Sequence, residues 1–419
     1  MAAQSFQSHN HRTRANRKLH DMESDEPGWG ALSGVRVLDL SMMLAGPYCT
    51  MMLADQGAEV IKIEPPTGDT TRTLGPYNDD DKERMFGGYF QSINRNKKGI
   101  VLNLKEECDR QIFLKLVTKS DVLVENYRSG VMERLGLGYD SLIKQNPKLV
   151  YACVRGFGDP RSGASPYLQW PAYDVVAQAM GGSMAITGER DGAPMKIGPG
   201  IGDTVPAMML AFGILAALRH SERTGEGQFV DIAMYDGMIA LCERSIYQYS
   251  YTGKAPKPEG NNHPLLCPFG IFPTTDGWVS IAAHQENFWS ALCRHMGRPE
   301  LATDPSYASN AARLNNQDHV ISVVSEWTRL RTKAEVASIL GGEVPVGPVN
   351  NAEDIIKDPH TAMRGMLASV DQPGSTRSVV IANTPLRFSS TPGGVRNRAP
   401  MLDEHRAQIF RSLGLCDEE

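Results

Sequence analysis

Short apolar runs alternate with longer amphipathic stretches over the first half of the chain. Residues 35–40 predict a buried strand, residues 47–57 a helix with proline in its first turn, and residues 59–64 a second strand that stops at two prolines. This spacing forms a βαβ unit. Three more strands are predicted further along, at residues 100–104, 121–126 and 149–157. The alternation predicts a mostly parallel sheet covered by helices on both faces.

The connections after these strands are the first places to search for a site, because parallel sheets bind ligands at the carboxyl ends of their strands. Those connections are residues 41–46, 65–77, 126–130 and 156–171. A long apolar helix, predicted over residues 205–221, then closes this half of the chain. Its most apolar part, residues 205–218, is too short to span a bilayer.

The second half has a different character, with a stretch rich in Gly, Pro and Asn at residues 253–275, followed by a strand and amphipathic helices. A chain of 419 residues exceeds a single typical core, so more than one domain is expected. The prediction is a polar disordered tail at 1–28, a large domain at 29–244, a small domain at 245–350 and a returning segment at 351–419.

Composition narrows the function mainly by exclusion. The net charge of −5 gives no basic face for a nucleic-acid partner. Seven scattered cysteines without a C-x-x-C pair predict reduced thiols and a cytoplasmic location. The ten histidines include no cluster with metal-ligand spacing, so no metal is expected.

The segment G-P-G-I-G at residues 198–202 precedes Asp203 and the long apolar helix. Alternating glycines let a backbone approach a ligand closely. In one interpretation Asp203 only caps the helix, because aspartate is favoured there. In the other, the helix dipole keeps the carboxylate ionised, it acts as a covalent nucleophile, and a neighbouring glycine N–H stabilises an oxyanion. Spacing alone leaves both open.

Other candidates are equally open. Residues 41–47 could cradle a phosphate at a helix start or form a simple turn. The basic run N-R-N-K-K at 94–98 and the arginines Arg128 and Arg134 suit phosphates, or form a solvated surface. Asp174 begins a helix pattern and is either catalytic, a cap or a ligand-orienting group.

Together the segments resemble the family III CoA-transferases, the group that contains formyl-CoA transferase and carnitine CoA-transferase. The resemblance is dense over residues 34–245 and looser beyond. Its motifs are G-V-R-V-L-D-L with L-A-G-P-Y, G-A-E-V-I-K-I-E-P-P, N-R-N-K-K, V-L-V-E-N-Y-R-S-G-V-M-E-R-L-G-L-G, N-P-K-L-V-Y, and G-I-L-A-A-L with R-T-G-E-G-Q. Several independent motifs in one order are far more specific than any one of them.

The resemblance implies an α/β fold with a Rossmann-like large domain, an inserted smaller α+β domain, and two chains interlocked as rings in a homodimer. It implies that acyl-CoA and a carboxylic acid are the substrates and that Asp203 is the nucleophile. The implied CoA contacts are Met43, Leu44, Ala45, Leu102, Asn126, Tyr127, Val131, Arg134 and Leu135.

The implied reaction moves CoA between carboxylic acids through mixed anhydrides and an aspartyl-CoA thioester on Asp203. The loop that covers this intermediate resembles residues 259–264, where Gly260, Asn261 and Asn262 are active-site candidates. The loop departs from the glycine run of the formyl-CoA enzymes, which argues against oxalate and formate and favours dicarboxylates such as succinate.

Two rival functions stay open. An α-methylacyl-CoA racemase would share the fold, but its catalytic histidine corresponds to Tyr173, and a phenol is a poor base at neutral pH. A non-catalytic CoA-binding protein is the other rival, against which the retention of Asp203 and its glycines argues.

Overall fold

A computed structural model describes residues 29–415. The predicted disordered tail at 1–28 lies outside the described residues. By their contacts the residues form two compact units. Unit 1 comprises residues up to 153, 210–230 and 368 onward, and unit 2 comprises residues 154–209 and 231–367. These units cut the chain at other positions than the predicted domains, whose boundaries at 244 and 350 stay a prediction.

The elements follow one another in chain order. The strands are β1 (Arg36–Asp39), β2 (Glu59–Glu64), β3 (Lys98–Val101), β4 (Val122–Glu125), β5 (Val150–Arg155), β6 (Phe229–Ala233), β7 (Phe269–Thr274), β8 (Gly277–Ala282), β9 (Val346–Pro348), β10 (Leu367–Val370) and β11 (Val379–Ala382). The helices are α1 (Ala45–Ala54), α2 (Gly88–Asn94), α3 (Glu107–Val117), α4 (Val131–Arg134), α5 (Tyr139–Gln145), α6 (Asp174–Met180), α7 (Ile201–Thr224), α8 (Met234–Leu241), α9 (Glu243–Thr252), α10 (Glu286–Met296), α11 (Asn310–Asn315), α12 (Gln317–Thr328), α13 (Lys333–Leu340), α14 (Ala352–Lys357), α15 (Pro359–Met363) and α16 (Arg406–Leu413). Short 3-10 turns lie at Thr70–Thr73, Met184–Ile186 and Pro299–Ala302.

The central sheet has six strands in the order β3-β2-β1-β4-β5-β6. The pairs β3–β2, β2–β1, β1–β4 and β4–β5 are parallel. The predicted α/β class with a largely parallel sheet is therefore confirmed. The strand order reverses between β1 and β4, which is the point where such sheets open a ligand crevice. The connections after β1 and β4 therefore lie where a ligand is expected.

The core of unit 1 explains why these segments fold as predicted. The strands carry apolar residues that are buried on both faces of the sheet, with Leu38, Ile61 and Leu123 on one face and Val37, Val60 and Val122 on the other. The edge strand β3 is protected by side chains near α16, because Gly99 N donates to His405 Nδ1 at 3.1 Å and Val101 N to Asp403 Oδ1 at 2.8 Å. These hydrogen bonds satisfy two backbone N–H groups that would otherwise stay unpaired at the edge of the sheet.

Unit 2 contains a three-stranded antiparallel sheet in the order β7-β8-β9. Its core packs Phe272, Trp289 and Leu292 with neighbouring helices. The buried Arg313 donates to the backbone oxygens of Cys267 and Tyr307 at 2.8 and 2.7 Å. A buried guanidinium satisfied by carbonyls joins the loops around this small core.

Helix α7 is longer than predicted, because it begins at Ile201 rather than at 205 and ends at Thr224 rather than at 221. At this length it is long and apolar enough to cross a membrane by composition alone. The expectation of too short a span concerned residues 205–218 alone, and the whole helix is longer than that stretch. This is weak evidence of a membrane span, since buried core helices pass the same test and Ala207 and Ile214 are buried.

The cysteines of the described part form no disulfide with one another, and all but Cys108 are buried. Cys416 lies outside the described residues. The cytoplasmic location stays a prediction.

Candidate active site

Asp203 is the third residue of α7 and does not cap the helix, because the helix begins two residues earlier and Gly200 precedes it. Its backbone N–H donates to the oxygen of Gly200 at 3.2 Å. The side chain is half-buried and has no hydrogen-bond or ion-pair partner among residues 29–415. The interpretation of Asp203 as a cap is therefore wrong, because a carboxylate in the first turn lies inside the helix.

Asp174, by contrast, is fully engaged. Its Oδ1 accepts from Gly202 N at 2.8 Å, and its two oxygens accept from Gln178 Nε2 at 2.9 and 3.0 Å. A Cβ on Gly202 would approach the backbone oxygen of Asp174 to 2.5 Å, so only glycine fits there. The expected oxyanion donor at Gly202 is consequently occupied by Asp174.

Gln178 was missed by sequence reasoning. It is fully buried, and its Oε1 accepts from Ile197 N at 2.9 Å while its Nε2 holds Asp174. Gln178 thus ties the start of α6 to the chain that leads into the glycine segment at 198–202. A glutamine four residues after an acid on a helix was the available signal.

The electrostatics of Asp203 differ from those expected. Burial, and after it the nearby charge of Asp174, raise the pKa of Asp203 from 3.8 to about 7. The helix dipole was expected to keep the carboxylate ionised, but these two effects outweigh it. A carboxylate with a pKa near neutrality holds a charge that is poorly compensated, which is typical of functional groups.

Tyr173 is the residue before α6, and its side chain is 62% exposed. The candidates of the 259–264 loop lie in the same unit beside β7. Gly260 has a φ of +69° and donates its N–H to the oxygen of Gly188 at 3.0 Å, and Asn262 forms a β-bridge with Gly270. The structure brings the bonded pair Asp174 and Gln178 close to Asp203, and the residues of the 259–264 loop make no direct hydrogen bond to these three.

A pocket of about 380 Å³ opens in unit 1 near the carboxyl ends of the strands. Its walls are mostly apolar, with two cations at an exposed rim, Lys105 and Arg134. Five predicted CoA contacts line it: Leu102, Tyr127, Val131, Arg134 and Leu135. The other lining residues are Met42, Ile63, Glu64, Pro65, Asn103, Leu104 and Lys105. Lys105 was missed in the sequence because it follows the strand run within a stretch of scattered charges.

Four predicted CoA contacts do not line the pocket themselves. Three of them follow β1 in the chain, and the fourth, Asn126, follows the adjacent strand β4. Met43, Leu44 and Ala45 follow Met42, which lines the pocket. Asn126, which follows β4, accepts from Met42 N at 2.9 Å and donates to Met42 O at 2.7 Å. The side-chain amide of Asn126 therefore holds the loop at the point where the strand order reverses.

The basic run at 94–98 neither lies free for phosphates nor forms a solvated surface. Arg95 bonds both oxygens of Asp55, and Lys97 donates to Asp39 Oδ2 at 2.8 Å with its ammonium fully buried. Lys98 pairs with Glu59. Both interpretations of this run were wrong, because the sequence does not show which carboxylates the fold brings to each cation.

Within the described part of the chain, no group of three or more His, Cys, Asp or Glu side chains is arranged to hold a metal ion. That no metal is needed stays a prediction.

The strand order and the pocket at the switch point define an α/β protein of the nucleotide-binding topology. The chain belongs to CoA-transferase family III, whose family model matches residues 32–406. It is therefore an enzyme of the CoA-transferase class, as the resemblance implied.

Individual relatives cover nearly the whole chain. A succinyl-CoA:mesaconate CoA-transferase of Haloarcula marismortui is 48% identical, over 92% of this chain and 97% of its own length. An acetyl-CoA:oxalate CoA-transferase of Acetobacter aceti is 40% identical, over 92% of this chain and 96% of its own. The crystal structure of a CAIB/BAIF family protein from Brucella suis matches with a TM-score of 0.82 at 35% identity, covering 92% of this chain and all of that one.

Proposed function

We propose that this enzyme moves CoA from a dicarboxylyl-CoA donor, such as succinyl-CoA, to a carboxylic acid acceptor through an aspartyl-CoA thioester on Asp203. The proposal rests on the different hydrogen bonding of two neighbouring aspartates, Asp174 and Asp203. Asp174 is committed to three hydrogen bonds, whereas the carboxylate of Asp203 has no partner among residues 29–415. A nucleophile must keep its oxygens free for the substrate carbonyl.

The first half of the reaction loads the enzyme. An oxygen of the ionised Asp203 attacks the thioester carbonyl of the donor, the C–S bond breaks, and CoA leaves as a thiolate. The thiolate then attacks the aspartyl carbonyl of the mixed anhydride. The anhydride C–O bond breaks, the donor acid leaves as a carboxylate, and CoA is held on Asp203 as a thioester.

The second half reverses these steps with the acceptor. An acceptor carboxylate attacks the aspartyl thioester, which forms a second anhydride and releases the CoA thiolate again. The thiolate attacks the acyl carbon of the acceptor, and Asp203 leaves as a carboxylate. No net proton is consumed, so the only ionisation the cycle requires of Asp203 is the loss of its proton, which its raised pKa makes dependent on pH near 7.

The pocket in unit 1 is the proposed CoA site. Apolar side chains such as Leu102 and Val131 suit the adenine ring and the pantetheine arm, and Lys105 with Arg134 suits the phosphates. Tyr127 and Leu135 add to the apolar wall. Met43, Leu44, Ala45 and Asn126 belong to the same site through the loop that follows β1.

A dicarboxylic acid is the proposed class of acceptor, because the relatives described above are named for mesaconate and oxalate, both of which are dicarboxylic acids. The relative named for oxalate runs against the expectation drawn from the 259–264 loop, so oxalate stays within the proposed class. The loop with Gly260, Asn261 and Asn262 is the proposed cover of the intermediate. Racemisation stays the weaker candidate, because Tyr173 offers a phenol instead of the histidine that proton abstraction needs.

The proposed assembly is a homodimer of interlocked chains. Unit 2 exposes large apolar and aromatic side chains, among them Trp170 at 56%, Tyr249 at 58% and Tyr251 at 89% exposure. Exposed apolar side chains of this size are common at interaction surfaces. Light scattering should give twice the mass of the chain, and a monomer at micromolar concentration would contradict the dimer.

The proposed nucleophile is tested with two matched variants. Asp203→Ala is expected to abolish transfer from succinyl-CoA to mesaconate while CoA binding, followed by calorimetry, changes by less than about threefold. Asp174→Ala removes the neighbouring carboxylate and is expected to leave measurable transfer. Full turnover by Asp203→Ala, or complete loss only in Asp174→Ala, contradicts the mechanism.

A further inference from the structure

Lys62 lies in the middle of β2, and its ammonium group is fully buried. The neighbouring Ile61 and Ile63 are apolar and buried, as expected for a central strand. Removing a lysine and its acidic partner from water costs free energy that offsets much of their attraction. Two apolar side chains of similar size would therefore often stabilise the fold equally well. Stability alone is therefore a weak reason for a lysine at this position.

The contacts of Lys62 indicate another role. Its Nζ donates to the backbone oxygen of Ser41 at 2.8 Å and to Asp69 Oδ2 at 3.0 Å. Asp69 in turn accepts from the N–H and the hydroxyl of Thr71 through Oδ1, at 2.9 and 2.8 Å. One ammonium thus joins the connection after β1 to the connection after β2. Both border the pocket, through Met42 and Pro65.

The connection after β1 needs such support from outside. Met43 has a φ of +67°, a conformation that costs a residue with a side chain free energy. Leu44, which precedes α1, forms no side-chain cap. Asn126 holds Met42 from the side of β4, and Lys62 holds Ser41 from the side of β2. The loop is therefore held between two neighbouring strands.

We propose that Lys62 is a positioning residue for CoA binding. It fixes the backbone of residues 41–44 and the turn at 69–71 in the conformation that forms one wall of the pocket, and it does not touch the ligand. This inference rests on the proposed function of the pocket as the CoA site.

The test uses two buried ion pairs of unit 1. Lys62→Met with Asp69→Asn removes the pair without leaving an isolated charge, and the asparagine can still accept from Thr71. Arg95→Met with Asp55→Asn is the matched control, since that pair is also buried but lies at the far end of α1, about 15 Å of helix away from the loop. Thermal unfolding shows whether the two double variants are comparably destabilised.

Coenzyme A itself is the probe, measured by calorimetry, with amide exchange followed at residues 41–46. The Lys62 and Asp69 variant is expected to raise the Kd for CoA at least about tenfold, to raise KM similarly, and to leave kcat within about threefold. Exchange in the loop should quicken. The control should change the Kd by less than about threefold and leave loop exchange as it is.

Equal effects of the two variants on the Kd, or no effect of either, would overturn the positioning role. If the double variant fails to fold, Asp69→Asn alone decides, with an expected rise in Kd of about threefold and unchanged kcat; an unchanged Kd overturns the proposal. A wild-type enzyme that does not bind CoA refutes the proposed site itself, whereas wild-type and Lys62 variants that bind it equally refute the positioning role alone.

Discussion

Two aspartates, one in each unit, have opposite electrostatic environments although burial raises the pKa of both. Asp39 is fully buried at the end of β1, and Lys97 donates to it at 2.8 Å. Burial alone would raise its pKa, but Lys97 and Lys62 lower it to about 2. Asp203 is only half-buried, and no cation among residues 29–415 lowers its pKa. Burial and the charge of Asp174 raise the pKa of Asp203 to about 7.

Burial makes a charge costly in both places, and the neighbouring charges decide whether the pKa falls or rises. A carboxylate between two lysines keeps its charge permanently and serves as a structural anchor. A carboxylate beside a second carboxylate keeps a reactive, poorly stabilised charge, as a nucleophile requires. The first arrangement supports the loop at the pocket, where Ser41 N donates to Asp39, and the second suits the nucleophilic role proposed for Asp203.

The largest expected effect concerns Asp39, the buried carboxylate that pairs with Lys97. Asp39→Asn leaves the ammonium of Lys97 buried without a carboxylate, and we expect the free energy of unfolding at pH 7 to fall by about 3–5 kcal/mol. Because the pKa of Asp39 is lowered in the folded state, its contribution is present above pH 4 and disappears as the pH falls towards 2. Urea unfolding of both proteins measures the difference. If the free energy of unfolding falls by less than about 1 kcal/mol, Asp39 is not a structural anchor and its contrast with Asp203 disappears.

The second prediction separates binding from chemistry. Lys105→Ala and Arg134→Ala should each raise the KM for acyl-CoA about tenfold with little change in kcat, because each removes a charge-assisted contact at the pocket rim. Arg128→Ala is the control, since Arg128 is exposed nearby but does not line the pocket. Equal effects of all three variants on KM would indicate a diffuse electrostatic field rather than a site.

The third prediction is a gain in the free energy of unfolding, opposite to the loss expected for Asp39→Asn. Asp203→Asn should raise the free energy of unfolding by about 1–2 kcal/mol at pH 8, because it removes a poorly compensated charge. The folded state of the native protein binds its proton more tightly than the unfolded state, so the charge is costly above pH 7 and costs nothing below pH 4. The gain should therefore vanish at pH 4. A destabilised variant at pH 8 would show that Asp203 has a stabilising partner.

The smallest effect tests the cause of the raised pKa. The kcat/KM of transfer should rise with pH and level off above about 7, as Asp203 loses its proton. In Asp174→Asn the acidic limb should move to lower pH, because the neighbouring negative charge is gone while the side-chain oxygen can still accept from Gly202. An unmoved limb would assign the raised pKa to burial alone.

Much of the fold could be predicted because its signals are local. The strand at Glu59–Glu64 was predicted with its observed bounds, since an apolar run followed by two prolines leaves little choice. The pocket residues Tyr127 and Arg134 could be proposed only through the resemblance, because nothing in the local pattern brings β4 beside β1. That proximity comes from the order of the strands.

The sequence could not reveal the pairing of charges. Lys97 and Asp39 are far apart in the chain, and their ion pair depends on the packing of α2 against α1. Likewise, the helix was expected to begin after Asp203, whereas it begins at Ile201, which changes a cap into a residue of the first turn. The sequence also could not show that Asp203 lies partly buried beside Asp174, which is what raises its pKa.

The most direct test of the account is to trap the covalent intermediate. The enzyme is incubated with succinyl-CoA without an acceptor, quenched with hydroxylamine, digested and analysed by mass spectrometry. A hydroxamate is expected on Asp203, and it should be absent from the Asp203→Asn variant and from enzyme that received no acyl-CoA. Modification confined to Asp174, or none on either aspartate while transfer proceeds, would contradict it.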